Sequence, residues 1–191
     1  MAYEVENKLV LGHCKTAFMN RSTLFIISAF LVTWHSGLSQ SKSISGDFIA
    51  PLSGTLGITG SFGEIRTDHF HSGIDLRTDG TIGKEVKATN DGYISRIKVS
   101  PVGYGKSIFI EHPNGLTTGY GHLDKYTVQI DEYVKRIQYQ LKSFDIDVFP
   151  KPNEFPVKKG DLIAYSGNSG GSSGPHLHYE VRTTIDQQIV S

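Results

Sequence analysis

The sequence predicts a single, mainly β domain: an antiparallel sheet of short strands with one inserted α-helix. Three observations predict it. Twenty-one glycines in 191 residues punctuate short apolar pieces. Runs that alternate apolar and polar residues are bounded by Asn-Gly and Asp-Gly turn signals. One segment alone shows helical spacing. The length suits one well-filled core and is short for two domains.

From Pro51 onward, Gly54, Gly57, Gly60 and Gly63 divide a β-rich opening. Glu85–Ala88 and Gly92–Val99 read as strands joined at the turn Asn90-Asp91-Gly92. Ser107–His112 is a strand, and Pro113-Asn114-Gly115 turns it back into Leu116–Tyr120. Asp161–Ser166 and His176–Arg182 complete the set. Asp131–Ser143 places Tyr133, Val134, Ile137 and Leu141 at helical spacing, which predicts an amphipathic helix lying on the sheet. Phe144–Pro156, with prolines at 150, 152 and 156, reads as a meandering loop. The region about 124–156 is therefore expected as an insertion, either a surface excursion or a wall of a cleft. Gly167–Gly174 is expected to give the backbone close access to that cleft.

The N-terminal residues read as a leader. Residues 1–18 are expected to be an over-extended start ahead of Met19. Residues 19–40 form a signal peptide, with Arg21, the apolar run Leu24–Trp34 and the small-residue stretch Ser36–Ser39. That run is shorter than the roughly 20 residues a membrane-spanning helix needs, so membrane attachment is expected only through an uncleaved leader. Residues 41–50 are a polar lead-in, and the folded domain is expected over 51–191. The only cysteine, Cys14, lies upstream of the folded part, so a metal there would be held by nitrogen and oxygen. Lys+Arg and Asp+Glu both total 19, and no basic excess points to nucleic acid or an anionic membrane as partner.

Chemistry concentrates in the histidines. His176 and His178 flank Leu177 on a strand, so both point to one face and Leu177 to the other. About a hundred residues earlier comes His71-Ser72-Gly73-Ile74-Asp75. Imidazoles and a carboxylate grouped in this way suit a catalytic zinc ion with three protein ligands and one open position. One member of the His176/His178 pair can bind the ion while the other moves protons. His69 and His71 form a second His-X-His pair, so spacing leaves the ligand open between them; the shorter reach to Asp75 favours His71. In a straight strand residues 71 and 75 would lie about 13 Å apart, so the chain must bend at Ser72-Gly73. His122 follows Gly121 at a strand end, and the period-two rule puts Tyr120 on its face, lining the same site. His112 reads as a surface turn residue, and His13 and His35 fall in the leader.

The pieces Ser61-Phe62-Gly63 with Arg66, His71–Asp75, Gly103-Tyr104-Gly105, Tyr120–Leu123, Val157–Gly160 and Gly170–Arg182 recur in order across about residues 57–182. Together they resemble the M23 zinc metallopeptidases, the lysostaphin-like and LytM-like endopeptidases of bacterial cell walls. The resemblance implies a lysostaphin-like antiparallel fold and one zinc ion per domain, held by His71, Asp75 and His178. It implies His122 and His176 as the catalytic histidines, and peptidoglycan peptides as the substrate of an exported enzyme. Arg66, Tyr120 and Glu180 are candidates for the shell around the ligands; Glu180 would orient a histidine or be a solvated strand charge. Relatives usually continue for a closing segment after the His-X-His strand, so either an unusually short protein or a C-terminally truncated fragment is expected here. Two rival readings accompany the resemblance: a non-catalytic module that activates another wall hydrolase, and a zinc peptidase acting on proteins.

Overall fold

The computed structural model describes residues 47–67 and 69–190. The expected over-extended start, the signal peptide and residues 41–46 of the lead-in lie outside the described residues. In chain order come β1 (Ile58–Gly60), β2 (Ile74–Arg77), β3 (Glu85–Lys87), β4 (Gly92–Val99), β5 (Lys106–Glu111) and β6 (Leu116–Tyr126). They are followed by α1 (Val128–Leu141), β7 (Ile146–Val148), β8 (Pro156–Val157), β9 (Leu162–Ser166) and β10 (His176–Thr183). No helix among the described residues is long and apolar enough to cross a membrane.

The strands form a single sheet in the order β1-β2-β10-β6-β5-β4-β7, with antiparallel neighbours throughout. The last strand, β10, inserts between β2 and β6 and so joins segments a hundred residues apart. The eleven-residue β6 changes partners along its length. Its first part pairs with β10 through His178↔Gly121, and beyond residue 122 it pairs with β9, which also carries β3. Leu76, Leu177, Ile108, Ile110, Ile94, Ile97 and Leu123 are almost fully buried and form one continuous core. Each such side chain contributes about 1.5–3 kcal/mol by leaving water.

The helix buries Ile130 and Val134 against this core, with Tyr133 and Ile137 packed beside them. It starts at Val128, ahead of the expected Asp131, because extended Thr127 is the N-cap. Asp131 then sits in the first turn, where a negative charge complements the helix dipole. The end is set by Lys142 in the left-handed region, where the Ser143 N–H bonds the Gln138 carbonyl at 3.1 Å. Leu141 departs from the expected apolar stripe and is exposed, since the packed face ends at Ile137.

Three sequence expectations are corrected. First, β3 and β4 do not pair with each other, although Asn90-Asp91-Gly92 joins them. Gly92 serves a close approach instead: a Cβ there would lie 2.1 Å from the Glu111 carbonyl oxygen. Second, the segment read as a loop after Phe144 contains β7, which adds to the β4 edge with Ile146 buried. A three-residue strand amid prolines leaves too short an alternation to be read. Third, His112 is no surface residue. It is 5 % exposed, its Nδ1 lies 2.7 Å from the Asp91 carbonyl, its Nε2 lies 2.8 Å from Thr118 Oγ1, and Phe48 packs on its ring.

Burial pulls the His112 imidazole below its usual range, only partly offset by the Asp91 carbonyl bond. The unfolded chain therefore takes up this proton first, and stability is lost as pH falls through about 6.5 towards the lower folded value. We expect the thermal midpoint to fall between pH 7 and 5, with this group contributing at most about 1.4 kcal/mol per pH unit. In His112→Gln that pH dependence is expected to be shallower, as melting curves across the range would show.

Candidate metal centre

Each site residue sits where the strand order puts it. β2 supplies Asp75 and β10 supplies His176 and His178, with His178 directly opposite Asp75 in the antiparallel register. His71 lies just before β2, and the chain bends between it and Asp75, as the straight-strand distance requires. Gly73 makes this bend possible: a Cβ there would lie 2.3 Å from the Tyr179 carbonyl oxygen and 3.0 Å from His178 Cε1. His122 occupies the point where β6 exchanges β10 for β9, in the left-handed region at φ 57°. Its N–H is held by the Tyr104 carbonyl at 2.8 Å.

His71 Nε2, Asp75 Oδ1 and His178 Nδ1 form a triangle with edges of 3.0, 3.0 and 3.2 Å. Ligand atoms in a tetrahedral zinc site with bonds of about 2.0–2.1 Å lie about 3.3 Å apart. The triangle therefore needs only a slight opening to hold such an ion. The three residues are 5, 7 and 4 % exposed, so the position is screened from bulk water on the ligand side. Two nitrogens and one carboxylate oxygen are a donor set suited to zinc.

The far nitrogen of every site imidazole has an oxygen partner. His71 Nδ1 donates to the Ser61 carbonyl at 2.8 Å, and His178 Nε2 faces Glu180 Oε2 at 3.4 Å. A carbonyl or a carboxylate can only accept, so with a metal bound these partners would hold the tautomers that present the lone pairs of His71 Nε2 and His178 Nδ1 to it. Likewise His122 Nδ1 donates to the Ser169 carbonyl at 2.8 Å and His176 Nδ1 to the Gly174 carbonyl at 2.8 Å. Neutral His122 thus keeps an unprotonated Nε2, whereas His176 turns its Nε2 to Asp75. His176 Nε2 lies 3.3 Å from Asp75 Oδ1, and the His122 and His176 rings are 4.7 Å apart.

Charge is arranged around the triangle in the same sense. Burial alone would raise Asp75, but hydrogen bonds from His176 and His178 outweigh it and hold the carboxyl well below its usual range. Burial is likewise overcome at Glu180, which His178 and Arg182 hold at about 2. His178 is pushed up despite burial, by Asp75 and Glu180; His176 is pushed up by Asp75 and the Gly174 carbonyl. The two carboxylates thus favour positive charge between the rings. His122, away from them, is lowered to about 4 by burial, with the neighbouring histidines adding to the effect.

Residues 69–139 and 150–190 match the model of peptidase family M23. The chain belongs to this family. The DD-carboxypeptidase/endopeptidase Mpg of Neisseria meningitidis serogroup B is 32 % identical to it over 118 residues, which is 62 % of this chain and 21 % of Mpg. The chain thus spans about a fifth of the length of the curated relatives that it matches. A zinc-containing peptidase from Vibrio cholerae has a similar structure, with a TM-score of 0.56 and 29 % identity, covering 76 % of this chain and 39 % of that one. The catalytic domain of the M23 protein EnpA from Enterococcus faecalis gives 0.54 and 25 %, covering 76 % and 95 %.

Within this M23 domain the candidate residues separate clearly. His71, Asp75, His122, His176 and His178 line one cleft of about 580 Å³, together with Arg66, His69, Ser72 and Tyr104. Arg66 Nη2 bonds Asp75 Oδ2 at 2.8 Å. Glu180 is 2 % exposed and no solvated charge; besides facing His178 it bonds Arg182 at 2.7 Å, Ser72 at 2.9 Å and Tyr104 at 3.0 Å. Such pairing is what allows a carboxylate to be buried at all. Tyr120 is a correction: it does not line the site. Its hydroxyl is buried in the core against Thr89, because the left-handed turn at His122 breaks the alternation that would have placed the two side by side.

Tyr104, visible only within the Gly103-Tyr104-Gly105 motif, and Ser169 had no role in the site on sequence grounds. The Tyr104 ring packs 5.0 Å from His178, its hydroxyl meets Glu180, and its carbonyl holds the His122 N–H. The flanking glycines were the available signal. Gly105 at φ 64° and Gly170 at φ 71° approach so closely that a Cβ on either would strike the other loop within 2.5 Å. Because Glu180 faces His178 Nε2, Glu180→Gln is expected to weaken metal binding at this triangle by about 10–100-fold. Competition against a chromogenic chelator measures this directly.

Proposed function

We propose that this domain is an exported zinc-dependent endopeptidase that hydrolyses amide bonds in peptidoglycan peptides. The observation that carries the proposal is the triangle of His71, Asp75 and His178 beside two further imidazoles whose Nδ1 atoms are tied to backbone carbonyls. Family membership and the names of the relatives support it: Mpg of Neisseria meningitidis and a peptidoglycan DD-endopeptidase of Vibrio cholerae, ShyB, 33 % identical over 111 residues. Export rests on the signal-peptide pattern of residues 19–40.

Zinc bound there would polarise a scissile carbonyl and bring a water's pKa down to about 7. The chain's own groups do the rest. His122 and His176, each with its Nδ1–H tied to a backbone carbonyl, hold Nε2 at fixed positions in the cleft for proton transfer. One takes the proton of the attacking water, and the other serves the carbonyl oxygen or the leaving amine. The wall made by Gly171, Ser172 and Ser173 carries no bulky side chain and suits peptides of small residues such as glycine or alanine.

His122→Ala is expected to retain one zinc per chain and to lose at least about 100-fold in turnover, the share typical of a general acid or base. Purified sacculi are the substrate, and mass spectrometry of released fragments identifies the new amine termini. A variant that still promoted digestion only in the presence of another wall hydrolase would mark the domain as an activator. Cleavage of protein but not of sacculi would redirect the substrate assignment.

A further inference from the structure

The two oxygens of Asp75 have separate tasks. Oδ1 lies 3.0 Å from His71 Nε2, 3.2 Å from His178 Nδ1 and 3.3 Å from His176 Nε2. Oδ2 is taken from the other side by Arg66 Nη2 at 2.8 Å. The same Nη2 lies 3.2 Å from Glu64 Oε2, which accepts the Ser61 N–H at 3.3 Å. The Ser61 carbonyl in turn holds His71 Nδ1 at 2.8 Å. Ser61, Glu64 and Arg66 therefore brace both a histidine and the carboxylate of the triangle.

Space has been left for this contact. A Cβ on Gly60 would lie 2.3 Å from Asp75 Oδ2 and 2.6 Å from Arg66 Nη2, so only glycine lets the pair close. Arg66 Nε, meanwhile, is buried with no hydrogen-bond partner. The guanidinium thus leaves one donor unsatisfied while keeping its grip on Oδ2. A carboxylate beside a divalent cation can ligate through one oxygen or through both. Closing with both would fill the position that a catalytic centre keeps open.

We propose that Arg66 is a positioning residue that confines Asp75 to ligation through Oδ1 by keeping Oδ2 occupied, so that the centre retains its open fourth position. The proposal rests on reading the triangle as a metal centre. Lysine substitutes only in part, because its compact, strongly hydrated ammonium on a flexible stem holds Oδ2 less firmly than the pre-organised guanidinium does.

The test is the visible spectrum of the Co2+-substituted protein, in which four-coordinate cobalt absorbs strongly and five- or six-coordinate cobalt weakly. The wild type is expected to show the intense bands. Arg66→Met is expected to lose them several-fold as Oδ2 joins the ion, with a change in zinc affinity of about tenfold. Arg66→Lys keeps the charge and decides the matter should Arg66→Met fail to fold; its bands are expected between the two. Wild-type band intensity in Arg66→Met, or in Arg66→Lys should Arg66→Met fail to fold, would overturn the proposal. A wild type that takes up neither cobalt nor zinc would instead bring down the metal-centre reading itself, and this inference with it.

Discussion

The site depends on one pairing, that of β10 between β2 and β6. The hydrogen bonds of that ladder set Asp75 opposite His178 and Gly121 on the other side of the same residue. Distances near 3 Å between side-chain atoms a hundred residues apart follow from this backbone register. A one-residue slip would turn His176 and His178 into the core and Leu177 into the cleft. Leu177 is fully buried among the core aliphatics, so the same hydrophobic contacts that stabilise the sheet also prevent the slip. Stability and site geometry rest on a shared constraint.

Around that register, glycines and carbonyls set the details. Gly60, Gly73 and Gly92 each stand where another atom comes closer than any Cβ would allow. The carbonyls of Ser61, Ser169 and Gly174 each hold the Nδ1–H of a histidine and so determine which nitrogen faces the cleft. These contacts come from loops, which explains why a cleft built on a rigid sheet is completed by the least regular parts of the chain. The buried carboxylate Glu180 is tolerated because Arg182, Ser72, Tyr104 and His178 surround it.

Much of this was legible in the sequence, for reasons that can be named. Strands β4, β5, β9 and β10 were placed within a residue or two because alternation and turn residues agree there. The ligand candidates were legible because period two puts His176 and His178 on one face and because Gly73 marks the necessary bend. What escaped was whatever depends on long-range contact. His112 reads as a turn residue until Asp91, Thr118 and Phe48 close over it. Tyr120 was misplaced because a left-handed residue at position 122 is a tertiary decision, held by the Tyr104 and Ser169 carbonyls. The motif Gly103-Tyr104-Gly105 was visible but Tyr104 had no role, because nothing near it in sequence announces a histidine 74 residues later; its two glycines signalled a tight loop without naming its neighbour.

X-ray absorption at the zinc edge of the reconstituted protein tests the central claim most directly. We expect one zinc per chain with two imidazoles and oxygen ligands at about 2.0–2.1 Å. A centre with three or more imidazoles, or a protein that binds no zinc at all, would contradict the account.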